Sequence, residues 1–323
     1  MNTIIRVGLF ACLVVLASCQ SALAQNEESR EAFATFAEWC HNHSRLTPDA
    51  KHTVDVLLAQ AETSDCERAA ETLNTRTDLW LNEAQIVDVS PLASLTNLRQ
   101  LYLGSNQITD VFPLARLVNL TMLRLEGNQI TDAAMEPLVS LTNLRWLHLG
   151  FNDISDVTLL SNLVNLESLL LTGNQITDVT PLAELTNLTS LDLDSNQITD
   201  LTPLASLNRL KDLALNWNQV EDVTPLVNLL NLTSLELHEN NVSNVTRLSN
   251  LKNLESLLLT GNQITDVTPL AELINLKLLY LGDNQITDVS ALGILTNLGL
   301  LYLAENPLSD RTCPLQPETI CHF

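Results

Sequence analysis

The hydrophobic and polar positions of this chain repeat about every 22 residues over most of its length. The pattern LxxLxLxxN recurs with a spacing of 22, except for one spacing of 24 where AAMEPL replaces the usual VTPL. A degenerate first copy carries Ala84 in place of the asparagine. One coil of about 20 residues cannot bury all of its leucines, so stacked neighbours must complete the core and form a solenoid. The asparagines lie at Asn106, Asn128, Asn152, Asn174, Asn196, Asn218, Asn240, Asn262, Asn284 and Asn306.

Each copy predicts a short strand followed by a short helical turn. The alternation points Leu191 and Leu193 inward and Ser190, Asp192 and Asp194 outward, as in a strand of a parallel sheet that lines the concave side. The Thr-Pro pairs that follow predict a threonine cap and a proline at the first position of a short helix or 3-10 turn on the convex side. The expected fold class is therefore α/β, a curved solenoid. The pairs are Thr180-Pro181, Thr202-Pro203, Thr224-Pro225 and Thr268-Pro269.

Two polar columns of the repeat are predicted to be structural. The asparagine amide has two donors and an acceptor, which can pair with loop backbone groups that would otherwise be buried alone. The aspartate of the ITD motif invites a metal-binding interpretation, but one carboxylate per turn more simply accepts hydrogen bonds from local backbone N–H groups. These aspartates are Asp110, Asp132, Asp156, Asp178, Asp200, Asp222, Asp266 and Asp288.

The motif NQITDVTPLAxLTNLxxLxL, which covers roughly residues 79–308, resembles the 22-residue repeat of the bacterial internalin-type leucine-rich-repeat proteins. The resemblance implies the fold and leaves the partner open, because proteins that share a scaffold bind through variable outward positions. The chain departs from that family in having no LPxTG-type sorting signal, no immunoglobulin-like domain after the repeats, and a cysteine-containing cap in front. Host-cell adhesion is therefore not inferred.

The chain is expected to divide into residues 1–24 (signal peptide), 25–76 (helical amino-terminal cap), 77–308 (about eleven repeats) and 309–323 (carboxyl-terminal cap). The start has one charge at Arg6, an apolar run, and Ala22-Leu23-Ala24 before Gln25, as in a secretory signal. Cleavage after Ala24 is favoured. The alternative is lipid attachment at Cys19, because the sequence LASC resembles a bacterial lipobox. The expected location is secreted, periplasmic or cell-surface.

The segment from about residue 28 to 76 loses the repeat and takes up a helical spacing of apolar residues, which predicts two or three helices. Thr47-Pro48 and Ser64-Asp65 are typical helix starts. Such a segment would cover the exposed core and the bare strand edge of the first coil.

Four cysteines outside the signal region predict two disulfides. Cys40 and Cys66 precede the first coil, whereas Cys313 and Cys321 follow the eleventh. The two ends of the solenoid are separated by ten strand spacings, on the order of 48 Å, and a disulfide needs Cα atoms within about 7 Å. The pairs must therefore be local. Both should form in the oxidising compartment that an exported chain enters.

Charge and motifs exclude several functions. The formal net charge is −22, which disfavours nucleic acid and anionic membranes as partners and favours a basic or neutral protein. A membrane attachment is expected only through a lipid at Cys19. No P-loop, GxGxxG, GxSxG, HExxH or CxxC motif occurs, so no enzyme activity and no cofactor are predicted. The cysteine and histidine groups near Cys40 and Cys321 lack four ligands at a usual zinc spacing.

The outward positions of the predicted strands vary from coil to coil and form three zones. The amino-terminal zone contains Arg124, Trp146, His148 and Phe151. The acidic zone contains Asp192, Asp194, Asp212, Glu236, His238 and Glu239. The apolar zone contains Leu258, Leu278, Tyr280, Leu300 and Tyr302.

The apolar zone is the preferred candidate for partner binding, because aligned tyrosines and leucines form a patch that proteins usually reserve for contact. Tyr280 and Tyr302 should lie about 5 Å apart on adjacent strands. The acidic zone keeps three interpretations open: a solvated face, a site for a basic partner, or a calcium site. Residues 165–185 and 253–273 are identical, so Leu170 and Leu258 are less informative than the aromatic residues.

We therefore expect an exported, monomeric, non-enzymatic scaffold that binds a protein on its concave face, with a glycan as the alternative ligand. The predicted contact residues are Tyr280, Tyr302, Leu278, Leu300, Glu236, Glu239, Asp192, Trp146, His148 and Arg124. The rival function is that of an envelope lipoprotein whose solenoid spaces or shields.

Overall fold

Each copy of the repeat contributes one three-residue strand to a single parallel sheet. The computed structural model describes residues 33–323, and the signal and lipobox predictions lie outside these residues. The strands pair in the order of the sequence. They are β1 Asp78–Trp80, β2 Gln100–Tyr102, β3 Met122–Arg124, β4 Trp146–His148, β5 Ser168–Leu170, β6 Ser190–Asp192, β7 Asp212–Ala214, β8 Ser234–Glu236, β9 Ser256–Leu258, β10 Leu278–Tyr280, β11 Leu300–Tyr302 and β12 Cys321–His322.

The interior of the solenoid is built almost entirely from leucine. In the coil of β6 the middle residue Leu191 is buried while Ser190 and Asp192 remain partly exposed. Leu191 pairs in register with Leu169 on one side and Leu213 on the other. This register stacks equivalent leucines into continuous columns, which confirms the predicted solenoid and its inward and outward positions.

Ten 3-10 helices form the convex side. Eight of them have five residues, as in Thr180–Glu184, and the longest, Asp132–Ser140, takes up the two extra residues of the 24-residue copy. They are Ser90–Leu92, Phe112–Arg116, Asp132–Ser140, Thr158–Asn162, Thr180–Glu184, Thr202–Ser206, Thr224–Asn228, Thr246–Asn250, Thr268–Glu272 and Ser290–Ile294. The predicted threonine caps are wrong. The cap position is Val179 in the coil of β5, and no side-chain hydrogen bond caps that helix.

The aspartate of the ITD motif, and not the threonine, accepts the backbone hydrogen bond at the start of most convex turns. The Thr180 backbone N–H donates to the Asp178 carboxylate at 2.8 Å, and the same bond recurs from Thr202 to Asp200. Hydrogen bonds from the threonine lower the pKa of Asp178. In the longer copy Asp132 reaches instead to the next coil, where it accepts from the Ser155 N–H at 2.7 Å.

The repeat asparagines are buried, and their amides link each coil to the preceding one. Asn218 accepts a hydrogen bond from the Ile198 N–H at 3.0 Å and donates to the Leu193 carbonyl at 2.9 Å and the Leu215 carbonyl at 3.1 Å. Ile198 and Leu193 lie in the preceding coil. The amides thus form hydrogen bonds with backbone groups that would otherwise be buried without partners, as the sequence predicts.

From residue 33 onward, the amino-terminal cap contains three α-helices, α1 Phe36–His41, α2 Pro48–Gln60 and α3 Cys66–Asn74. Thr47 caps α2, with proline in the first turn, and Asp65 caps α3. The Thr53 hydroxyl of α2 donates to the Asp88 carbonyl in the first coil at 2.7 Å. A 3-10 turn, His43–Arg45, joins α1 to α2. The Cys40–Cys66 disulfide joins α1 to α3.

The carboxyl-terminal tail completes the sheet. A short 3-10 helix, Glu318–Ile320, leads into β12, which pairs with β11. The Cys313–Cys321 disulfide closes this tail on itself, so both cysteine pairs are those predicted. Within residues 33–323 no helix has the length and apolar character that crossing a membrane requires.

The concave face as the candidate binding site

The aromatic residues of the solenoid lie outside its leucine core. Seven of the eight aromatic residues between 77 and 308 are exposed or only partly buried, and the eighth, Tyr102, is buried on the concave strand β2, where its ring stacks on that of Trp80. Six of the eight lie on the concave strands or in the turns that follow them at the amino-terminal and carboxyl-terminal ends. The eight are Trp80, Tyr102, Phe112, Trp146, Phe151, Trp217, Tyr280 and Tyr302.

The amino-terminal zone encloses a hollow of about 520 Å³, which we call the aromatic hollow. The Trp80 and Tyr102 rings stack at one end, with centroids 3.7 Å apart and planes inclined by 7°. Trp146, of which 51% is exposed, stands two strands from Tyr102. The lining is Trp80, Tyr102, Met122, Leu123, Arg124, Trp146, Leu147, His148, Ser168 and Leu170.

An ion-paired triad lies beside the aromatic hollow. The Glu126 carboxylate accepts a hydrogen bond from Arg124 at 2.6 Å and contacts the His148 Nδ1 at 3.3 Å. Burial alone would raise the pKa of Glu126, but the hydrogen bonds from His148 and Arg124 outweigh it and lower the pKa to about 2. Glu126 therefore stays ionised and holds the Arg124 and His148 side chains in place.

A buried asparagine organises the acidic zone. Asn216 donates through Nδ2 to Asp194 at 3.0 Å and to Glu236 at 2.8 Å, and its carbonyl accepts from the His238 N–H at 2.8 Å. Burial, together with the negative charges of Asp192 and Glu236, raises the pKa of Asp194 to about 6 against the hydrogen bonds from Asn216. The carboxylates are thus held close together at an electrostatic cost.

Among residues 33–323, the carboxylates of the acidic zone form no ion pair with a cationic side chain. The ion pairs among residues 33–323 involve other acids, such as Glu126 with Arg124, Glu167 with Arg145 and Glu255 with Lys277. Over the same residues no three His, Cys, Asp or Glu side chains are arranged to hold a metal ion. The solvated-face, basic-partner and calcium interpretations of the acidic zone therefore stay predictions.

At the carboxyl-terminal end the two tyrosines form a platform. The Tyr280 and Tyr302 ring centroids lie 5.7 Å apart, close to the expected spacing, and the His238 ring meets Tyr280 edge-on at 6.2 Å. Leu278 beside them is 41% exposed, and Leu300 is partly buried. The tail pairs with β11 at its edge and leaves Tyr302 partly exposed. The platform therefore remains open on the concave face.

The predicted contact residues do not form one cluster. Arg124, Trp146 and His148 surround the hollow on β3 and β4, whereas the tyrosines lie on β10 and β11. Asp192 and Glu236 lie between them on β6 and β8. Glu239 lies beyond its strand, in the exposed turn, with a positive φ of 51°.

Two residues of the site escape the sequence analysis. Trp80 belongs to the degenerate first coil, although it lies 22 residues before Tyr102 and pairs with it in register. Asn216 precedes the repeat asparagine by two residues, a position occupied by Asp194 and His238 in the adjacent coils. A comparison of that column across the copies would have indicated a polar group facing its neighbours.

Known proteins place this architecture in a family. Models described as leucine-rich repeats match residues 77–116, 96–140, 142–184, 186–228 and 272–295. The structure is similar to the internalin inlF of Listeria monocytogenes, with 33% identity, a TM-score of 0.68, and coverage of 83% of this chain and 92% of that one. The chain belongs to the internalin-type leucine-rich-repeat family. No curated protein matches it in sequence.

Two further structures share the leucine-rich-repeat solenoid. The LRR protein LIC12759 of Leptospira interrogans is 25% identical with a TM-score of 0.57, and the match covers 68% of this chain and 70% of that one. The ectodomain of the plant receptor kinase GASSHO1/SCHENGEN3 of Arabidopsis thaliana, in complex with Casparian strip integrity factor 2, is 25% identical with a TM-score of 0.59. That match covers 71% of this chain and 32% of the receptor.

Proposed function

We propose that this internalin-type protein is an exported, non-enzymatic scaffold that holds a protein partner on its concave face. The observation that carries the proposal is the placement of the aromatic residues, which are excluded from the leucine core and concentrated at the two ends of the concave sheet. Large aromatic side chains on a surface contribute little to folding, but they dominate the energetics of protein contacts.

The main contact surface in this proposal is the carboxyl-terminal half of the concave face. Tyr280 and Tyr302 couple apolar rings to hydrogen-bonding hydroxyls, and Leu278 and Leu300 add apolar area beside them. The tyrosines lose little rotamer freedom when a partner covers them. This combination is typical of residues that contribute most of the affinity of an interface.

The acidic zone would select and orient the partner. Asp192, Glu236 and Glu239 carry charges that no lysine or arginine within residues 33–323 neutralises through an ion pair. A partner with lysine or arginine opposite them would associate faster at low salt, because long-range attraction steers the encounter. The net charge of −22 supports the same choice of a basic or neutral protein.

An extracellular or cell-surface location fits the two disulfides, which persist in oxidising compartments. The processing of the amino terminus, and with it the location, can be tested separately. Metabolic labelling with a fatty-acid analogue should leave the protein unmarked, and its amino terminus should begin at Gln25. Labelling that is lost in Cys19→Ser would instead show a lipoprotein.

The function is tested by affinity capture from the producing cell and its surroundings. The bait is the mature protein, and the matched bait is Tyr280→Ala with Tyr302→Ala. We expect a protein that the wild-type bait retains and the double variant loses at equal melting temperature. Retention of a glycan by the wild-type bait would contradict a protein partner, and the absence of any concave-face ligand would favour the spacing function.

A further inference from the structure

The aromatic hollow at the amino-terminal end of the sheet is a second, separate feature of the concave face. Its centre lies at β3, seven strands from Tyr280 on β10. Adjacent strands are about 4.8 Å apart, so the two places are separated by roughly 34 Å along the sheet. A contact at the tyrosine platform therefore does not by itself fill the hollow.

We propose that the aromatic hollow binds an uncharged aromatic side chain from an extended segment of the partner protein, and that this segment continues across the sheet to place lysine or arginine on the acidic zone. This inference rests on the proposed function. It adds the chemistry of the partner segment and the spacing between its two anchors.

The walls of the hollow are suited to a flat apolar ring. Met122, Trp146 and Leu170 offer apolar surface, and Tyr102 presents its ring beside them. The polar atoms of two of the aromatic walls are already engaged: the Trp80 Nε1–H donates to Asp78 at 3.2 Å and the Tyr102 hydroxyl donates to Gln100 at 3.0 Å. The surface that remains for a ligand is mainly ring face and aliphatic side chain, which favours stacking.

The charges around the hollow favour a neutral group. Arg124 is paired with Glu126, and Arg145 is paired with Glu167. Both positive charges are thereby balanced by carboxylates of the same face. A sugar would need many free hydrogen-bonding groups, whereas Arg124, His148 and Ser168 are the polar residues among the ten that line the hollow. An aromatic side chain therefore fits the lining better than a glycan does.

The charge on the concave face changes sharply from the hollow toward the acidic zone. Leu170 at the edge of the hollow pairs in register with Asp192, the first residue of the unpaired acidic group. That group is centred on Asn216, in the turn after β7, four strands from the centre of the hollow. Four spacings of about 4.8 Å give roughly 19 Å. A polyproline II chain rises about 3.1 Å per residue, so about six residues span the gap.

Rigid peptides measure this distance directly. The probes are acetyl-Phe-(Pro)n-Lys-Lys-amide with n of 2, 6 and 10, titrated calorimetrically into the mature protein. We expect the peptide with about six prolines to bind at least about fivefold more tightly than the other two, because only that spacing allows both anchors to bind without strain. Replacing Phe by Gly should remove the preference for spacing. Equal affinity for the three lengths, or no binding by any of them, would overturn the proposal.

Matched variants locate the two anchors. Trp146→Ala should reduce affinity for the preferred peptide to that of the Gly peptide, and Leu170→Asp, which places a charge on the neighbouring strand at the edge of the hollow, should do the same. Asp192→Asn with Glu236→Gln should remove the contribution of the lysines. Ile294→Ala removes a side chain that is 62% exposed in a 3-10 helix on the convex side, so it should leave affinity unchanged. Unchanged binding by both hollow variants, at unchanged melting temperature, would contradict the assignment.

The outcome also separates this inference from the proposed function. Loss of the captured protein in Tyr280→Ala with Tyr302→Ala tests the main contact surface, and the ruler peptides test the hollow independently of it. A linear β-linked glucose hexamer serves as the competing probe. Its binding in the hollow, with displacement of the preferred peptide, would assign the site to a glycan and contradict the proposal.

Discussion

The asparagine of each repeat stabilises the solenoid by joining its coil to the preceding one. Asn196 accepts from the Ile176 N–H at 3.0 Å and donates to the Leu171 and Leu193 carbonyls at 3.1 Å each. These backbone groups are buried, so no water can replace the amide. The side chain faces the interior and has no part in the concave surface.

Asn196→Ala should therefore lower the free energy of unfolding by roughly 1 to 3 kcal/mol, because it leaves buried backbone groups unpaired. Denaturant unfolding followed by circular dichroism measures the change. The control is Gln197→Ala, which removes the exposed neighbouring side chain and should be nearly neutral. Lost partner binding with unchanged unfolding would make Asn196 a contact residue.

Asp194 has the opposite character, because the fold holds its carboxylate in an unfavourable place. Its raised pKa of about 6 means that the protonated form is the one the fold favours. The resulting stabilisation is fully present below about pH 4 and is lost as the pH rises through 6. Wild type loses this stabilisation between pH 4 and pH 7, and the Asp194→Asn variant does not. The free energy of unfolding of the variant should therefore rise relative to that of wild type over this range, by on the order of 1 kcal/mol after allowance for solvent screening.

Asp178 should show the opposite pH dependence of stability. Hydrogen bonds from Thr180 lower the pKa of Asp178, so its stabilisation is present above the unfolded pKa and lost as the pH falls. Asp178→Asn should therefore lose stability relative to wild type as the pH rises to 7. Urea unfolding at several pH values measures both variants. A pH profile of Asp194→Asn parallel to wild type would show that the carboxylate is not strained.

Among the secondary-structure elements, the strands can be predicted from the sequence. Inward leucines alternate with outward residues at one place in each 22-residue repeat, which leaves only one set of positions for the strand. The cap helices follow for a similar reason, since Thr47 and Asp65 precede helical apolar spacing. The threonine caps of the convex turns were predicted wrongly. Aspartate and threonine side chains can both accept hydrogen bonds from backbone N–H groups. The sequence alone does not show which of the two does so, and in the structure it is Asp178, which accepts from the Thr180 N–H.

The site is less predictable than the fold because it depends on contacts between coils. The tyrosine spacing follows from strand pairing, and its measured value of 5.7 Å agrees with that expectation. The Asn216 network instead depends on which polar side chains of three successive coils meet in one turn. The hollow likewise depends on Trp80, whose coil lacks the repeat asparagine.

The tail element is predicted to depend on its disulfide. The Leu303 N–H donates to the His322 carbonyl at 2.6 Å, which fixes β12 against β11. Replacing Cys313 and Cys321 by serine opens a short loop, with a cost of roughly 2 to 3 kcal/mol to the ordering of the tail. Hydrogen exchange at Leu303 should accelerate while exchange in β6 stays unchanged. Unchanged exchange at Leu303 would show that β12 holds without the bond.

Across the whole molecule, one continuous sheet presents two aromatic ends and an acidic middle. The core and the turns are nearly the same in every copy, so the differences between coils are concentrated on the concave side. The two caps cover the ends of the sheet through helices at one end and β12 at the other. The molecule is therefore built to display outward strand positions on a fixed curved surface.

The most direct measurement of this account is the dissociation constant of the captured partner for four forms of the protein, with melting temperatures recorded in parallel. Tyr280→Ala with Tyr302→Ala should weaken binding by more than roughly 2 kcal/mol, about 30-fold, with little change in melting. The controls are Leu230→Ala and Ile274→Ala, which remove side chains that are 55% and 54% exposed outside the sheet; both should bind like wild type. If the double variant melts earlier and still binds normally, the tyrosine platform is structural, and the contact surface must lie around Trp146 and His148.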